Sequence, residues 1–185
     1  QSAWLKTHWP AHFLAGVLTH DPGMYPKRLI LDDVRRLRIP VLGLDVNVSG
    51  PTYAVEVLDG DRPDRAAPVH GIRLPLSEVK GIAAGEVDHI VAARPFASLT
   101  DFWHRAHVSR PVVERLVLAG GFDTAYGIGV RGTRGEVAAR GQVTRRDLLL
   151  QVAELERFAR AVERSGRGRG LAARRVAGRV RPPDL

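Results

Sequence analysis

The chain has 185 residues, 44% of them hydrophobic, enough to bury one sizeable core or two small ones. It carries a net charge of +8, a pI near 10.9 and no cysteine, which favours a polyanionic partner and excludes a disulfide framework and every thiolate zinc site. No run approaches the roughly 20 apolar residues of a membrane span, and Phe13 to Leu18, flanked by His12 and His20, is too short for a secretory signal. No membrane partner is expected, and the lack of cysteine suits a reducing cytoplasm.

From Arg164 onward, seven arginines face one acid, Asp184, so +6 of the +8 lies at that end and the rest is nearly balanced. Bulk charge therefore says little about the folded body. With Gln1 first and Met24 the sole methionine, the sequence reads as a piece of a longer chain.

In chain order, Trp4 and Leu5 lie on helical spacing with Phe13, Leu14, Val17 and Leu18, but Pro10 interrupts it. Proline lacks an amide donor, so one helix should end near His8 and another start at Pro10. Asp21-Pro22-Gly23 is a turn. Helical spacing returns from Tyr25 to Arg38, with Asp32 and Asp33 followed by Arg35 and Arg36, and Pro40 ends it. Val41 to Leu44 is a short apolar run. Tyr53 to Val57 alternates as a strand with one wet face, and a second strand at Ile72 to Leu74 makes a hairpin across the loop at 59–68.

Short helices follow near Leu76 to Lys80, Glu86 to Arg94, Leu99 to His107 and Pro111 to Ala119. Gly120-Gly121 ends the last, and the stretch from Gly127 to Gly141 has no usable periodicity. Thr144 caps a helix reaching about Glu163, with Leu148, Leu149, Val152, Leu155, Phe158 and Val162 on its apolar side. The remainder has few core formers and is expected not to fold. The fold class is mainly α with a small β-hairpin, an α+β arrangement.

Leu76 to Arg94 carries the most information. A short helix, a tight turn Lys80-Gly81-Ile82-Ala83 and a second helix through Gly85 follow the logic of a helix-hairpin-helix. There the hairpin amides and helix dipole face a DNA phosphate, while an apolar residue, here Ile82, locks the two helices. Such contacts position a duplex without reading bases. An ordinary helical hairpin with no ligand fits the segment equally well. Ala83 stands where the usual motif has glycine, and its methyl restricts a phosphate's approach.

Other patterns carry less. Gly127 to Gly132 matches G-x-G-x-x-G in letters without the strand and helix that a dinucleotide site needs. His8 and His12 lack a third ligand. Asp59-Gly60-Asp61 is turn chemistry, and no catalytic nucleophile motif is present.

Ala3-Trp4-Leu5-Lys6 with Pro10, Phe13, Ala15 and Leu18 resembles the end of the fingers in bacterial C-family DNA polymerases, the replicative alpha subunit and its error-prone relatives. Leu37 to Leu42 with Asp45 to Ser49 is similar to their helix-to-strand passage, and Ile72 to Arg94 resembles their strand leading into a helix-hairpin-helix. Ser109 to Leu116 with Ala119 to Asp123 resembles the helix and ending that follow; Phe102-Trp103 and Thr144 to Gln151 fit the error-prone branch.

The resemblance implies residues 1–40 as the C-terminal part of the fingers, 41–75 as a strand-containing connector and 76–125 as the helix-hairpin-helix module. A Gly-rich loop at 126–143, a helix at 144–163 and a disordered tail at 164–185 complete the expected order. The tail's composition is what a GC-rich gene gives when read out of frame, so a frameshifted or truncated end is expected.

The implied parent is a DNA-directed DNA polymerase of replication and translesion repair that uses two magnesium ions held by palm aspartates. Those aspartates would lie upstream of Gln1; no residue here is assigned to catalysis or metal, and no cofactor to this piece. The residues carried over as DNA contacts are Lys80, Gly81, Ile82 and Gly85, with Ala83 as the departure and Arg110 as a further backbone contact. Primer-template duplex is the expected partner; sliding clamp and translesion accessory proteins would bind elsewhere in the parent. The competing readings are a non-enzymatic basic DNA-binding or scaffold protein driven by its tail and, last, an RNA-binding protein, for which no aromatic platform is evident.

Overall fold

The computed structural model describes residues 1–21, 23–58, 68–129 and 143–177. Helices α1 (Ser2–His8) and α2 (Pro10–His20) meet at Trp9, whose extended φ of −135° breaks the helix where Pro10 begins the next one. Helix α3 (Lys27–Arg36) is shorter than the spacing predicts. Pro26 takes the cap position, and Arg38 turns left-handed at φ 58° while the Ile39 amide donates back to the Val34 carbonyl. Asp32 pairs with Arg35 and Asp33 with Arg36, all exposed and therefore worth little.

Strands β1 (Val41–Leu42), β2 (Ala54–Leu58) and β3 (Val69–Arg73) form one sheet in the order β1-β3-β2. The β2–β3 hairpin matches expectation, although β3 begins three residues before Ile72; its loop lies outside the described residues. The parallel β1–β3 pairing was not evident, because two residues of strand carry no pattern. Gly71 makes the pairing possible: a Cβ there would lie 3.2 Å from Leu42, Leu58 and the Pro40 carbonyl. The wet face is imperfectly alternating, since Val57 is exposed while Tyr53 is buried.

Leu14, Leu18, Ile30, Val34, Tyr53 and Ile72 form a first core between α2, α3 and the sheet. Across its edge Arg73 grips Glu56 with two bonds of 2.8 and 2.7 Å and donates to the Gly43 carbonyl at 2.9 Å. That bond holds the Glu56 carboxyl below its ordinary range. A depressed carboxylate stabilises the fold above its unfolded pKa and loses that contribution as pH falls through the folded value. Accordingly, Glu56→Gln should lower stability by about 1 kcal/mol at pH 7 and by much less at pH 3, in urea titrations at both pH values.

A second core begins with Leu44 and Val46 and takes in a single 3-10 turn (Leu76–Glu78) and helices α4 (Ala84–Ala92), α5 (Leu99–Arg105) and α6 (Arg110–Leu118). Short α7 (Asp123–Tyr126), which the reading missed, and long α8 (Arg145–Ala177) close it. Within residues 41–75, Tyr53 and Ile72 belong to the first core and Leu44 and Val46 to the second. Asn47 clips the two ends of the second core, donating to the Phe96 carbonyl at 3.0 Å and accepting from its amide at 2.8 Å. Arg94 donates to the Val46 carbonyl at 2.7 Å and to that of Ser49. Among the described residues no buried side-chain polar atom lacks a partner.

Thr144 and Asp147 cap α8 reciprocally, and Arg145 ties its start to Asp123 and the Leu118 carbonyl. Leu148 and Val152 are buried, whereas Phe158 and Val162 are exposed, because the helix outruns the core past Leu155. The expected unfolded tail is corrected in part: α8 continues to Ala177. Residues 178–185 lie outside the described residues, as do 130–142 of the expected Gly-rich loop. No helix among the described residues is long and apolar enough to cross a membrane.

Candidate nucleic-acid interface

The segment before the hairpin is the single 3-10 turn at Leu76–Glu78, not the helix to Lys80 that the spacing predicts. Pro75 starts it, and Val79 is already extended at φ −71°, ψ 116°. Burial of Leu76 and Val79 anchors the turn. The Ile82 amide donates to the Val79 carbonyl at 3.1 Å, closing a turn in which Gly81 has φ +79°. Only glycine adopts that conformation without strain. Ile82, partly buried, packs against the second core.

Ala83 caps α4 in an extended conformation, φ −87° and ψ 153°, so its methyl brings no backbone strain. Its amide is engaged: Glu86 accepts from Ala83 at 2.9 Å and, with its other oxygen, from the Ser109 amide at 2.8 Å. Burial opposes the charge on Glu86 most strongly, but these amides together outweigh it and hold the carboxyl below its ordinary value. Ala83 therefore contributes an N-terminus already capped, and Glu86 is a residue the reading missed. With alanine at the cap, only half of the usual Ser-x-x-Glu signal exists in sequence.

Among the described residues the amides of Gly81, Ala84 and Gly85 have no protein acceptor. Lys80, Gly81, Ala84 and Gly85 are all exposed, and a Cβ on Gly85 would meet nothing within 4 Å. This edge offers donors, a cation and room for a phosphate. Arg110 has partners within the chain. At the start of α6 its Nε donates to Glu114 at 2.7 Å and its Nη1 to Glu156, tying α6 to α8, and these bonds raise its pKa.

Lys27 at the start of α3 reaches Glu78 at 2.6 Å and fixes the hairpin's first turn to the first core. Burial, and then the Glu78 charge, push the neighbouring Tyr53 hydroxyl up to about 12. Where the start of α2 meets β3, His8, Trp9, His12, Arg38 and His70 line an open cavity of about 430 Å³, with the rings of His12 and His70 5.2 Å apart. This aromatic grouping was not foreseen, because His70 comes from β3. Among the described residues no three His, Cys, Asp or Glu side chains gather as a metal site requires.

A glycine turn anchored by Ile82, followed by a helix with open first-turn amides, defines a helix-hairpin-helix module. The family model described as "Helix-hairpin-helix motif" matches residues 38–129. The error-prone DNA polymerase of Burkholderia mallei is 38% identical over 130 residues, covering 68% of this chain and 12% of the relative. Those of Corynebacterium glutamicum and Nocardia farcinica are 36% and 37% identical over 131 residues, covering 70% and 68% of the chain and 11% of each relative. The chain belongs to the bacterial C-family DNA polymerases, and spans about 12% of the length of the curated relatives it matches.

Proposed function

We propose that the segment is the duplex-holding part of an error-prone DNA polymerase and grips primer-template backbone without reading sequence. The carrying observation is the exposed edge of Lys80, Gly81, Ala84 and Gly85, where a lysine and three amides without a protein acceptor lie within six residues. A phosphate there gains the α4 dipole, charge-assisted bonds from the amides and the Lys80 ammonium. Backbone amides and a lysine ammonium suit phosphate and carry no base-specific pattern, so affinity should be similar across sequences. Nucleotidyl transfer, with its magnesium ions, would belong to other parts of the parent polymerase, as would contacts to a sliding clamp or translesion accessory proteins.

The test is fluorescence anisotropy of the full chain on a duplex across a salt series. Lys80→Ala should weaken binding uniformly across sequences and reduce the slope of log K against log salt by about 0.9, one released counterion. An unchanged slope would remove Lys80 from the interface.

The tail-driven alternative draws on the seven arginines from Arg164 onward. It predicts that the same substitution leaves binding untouched.

A further inference from the structure

We infer that Arg115, on α6, is a positioning residue that aims the hairpin amide of Gly81 at phosphate; this rests on reading the hairpin as the duplex contact. Arg115 Nη1 donates to the Lys80 carbonyl at 2.6 Å, across 35 residues of sequence. In a trans peptide the carbonyl and the next N–H point to opposite sides. Pinning the Lys80 oxygen inward against α6 therefore turns the Gly81 N–H outward, towards the exposed edge.

The same contact explains why residue 81 is glycine on two counts. Its φ is +79°, and a Cβ would fall 2.6 Å from Arg115 Nη1 and 3.7 Å from Cζ. The guanidinium lies where a side chain would be. Little else holds the peptide: one 3-10 turn precedes it and one backbone bond, from Ile82 to Val79, closes it. The support beneath is rigid, because Val112, Val113, Leu116 and Val117 of α6 are fully buried. Arg115 and Lys80 also line one open cavity of about 230 Å³, together with Glu78, which Lys27 pairs. Lys80 meets phosphate, and Arg115 shapes the backbone.

The experiment measures duplex affinity of the full chain and its Arg115→Ala, Arg115→Lys, Lys80→Ala and Gly81→Ala variants across a salt series. Arg115→Ala should weaken binding about tenfold, the scale of one lost charge-assisted contact, with the salt slope unchanged. Arg115→Lys, which keeps one donor, should recover part of the loss. Gly81→Ala should cost less in the Arg115→Ala background than in the wild type, because no guanidinium remains to be displaced. Amide chemical shifts of Gly81 and Ile82 should move in both Arg115 variants while the helical circular dichroism stays constant; if Arg115→Ala fails to fold, Arg115→Lys carries the same readings. The inference is overturned if Lys80→Ala weakens binding but Arg115→Ala does not, or if Arg115→Ala lowers the salt slope by about one, as a direct phosphate contact would. If Lys80→Ala and Gly81→Ala also bind like the wild type, the hairpin reading falls, and this inference with it.

Discussion

Replacing Gly81 with valine should reduce duplex affinity by at least about tenfold while leaving most of the fold intact. A β-branched side chain at φ +79° is strained by about 1–3 kcal/mol, so the hairpin relaxes to another shape. Its γ-carbons would also enter the space held by Arg115, whose Nη1 is 2.6 Å from the Cβ position. Both effects act on the peptide that carries the Lys80 carbonyl and Gly81 amide, and neither reaches the buried face of α4, where Val87 and Ile90 pack. Anisotropy titration beside thermal unfolding separates the two consequences. Near-normal binding would show that the hairpin's shape is irrelevant to DNA.

Phe102→Ala should cost about 3–5 kcal/mol, the range for removing a fully buried aromatic ring. Phe102 has no exposed surface and stands edge-on between Phe96 and Phe122, with centroids at 4.8 and 5.1 Å. Its loss would empty the centre of the second core, below α4, α6 and α8 together. A domain of ordinary stability, about 5–15 kcal/mol, would retain little margin. Urea unfolding reads this directly, and a loss below about 1 kcal/mol would mean that the second core is packed elsewhere.

The features legible in sequence are those set by neighbouring residues. Pro10 announced the break between α1 and α2, Thr144 the start of α8, and Gly81-Ile82 the hairpin. The parallel β1–β3 pairing was not legible, because Val41–Leu42 acquires its partner only through the tertiary approach of β3 across Gly71. Arg110 and Arg115 show the same limit at the site. Arg110 was expected to meet DNA backbone and Arg115 carried no assignment, yet in the fold Glu156 accepts from the first and the Lys80 carbonyl from the second, from 46 and 35 residues away. Glu86 was hidden for another reason: it caps an alanine, and its second partner is the distant Ser109 amide. The continuation of α8 to Ala177 was not legible, because Gly166, Gly168 and Gly170 lower helix propensity there and few core formers follow Glu163.

On the proposed function, the hairpin and not the arginine-rich end holds the duplex. Removing residues 165–185 takes away six of the seven terminal arginines and leaves the hairpin, both cores and the cap of α8 in place. Duplex binding of that truncated chain, measured over a salt series, is the most direct test. The hairpin account predicts binding that persists at low salt, with a shallower slope, and that Lys80→Ala weakens further. Loss of nearly all affinity and salt dependence on truncation would contradict it.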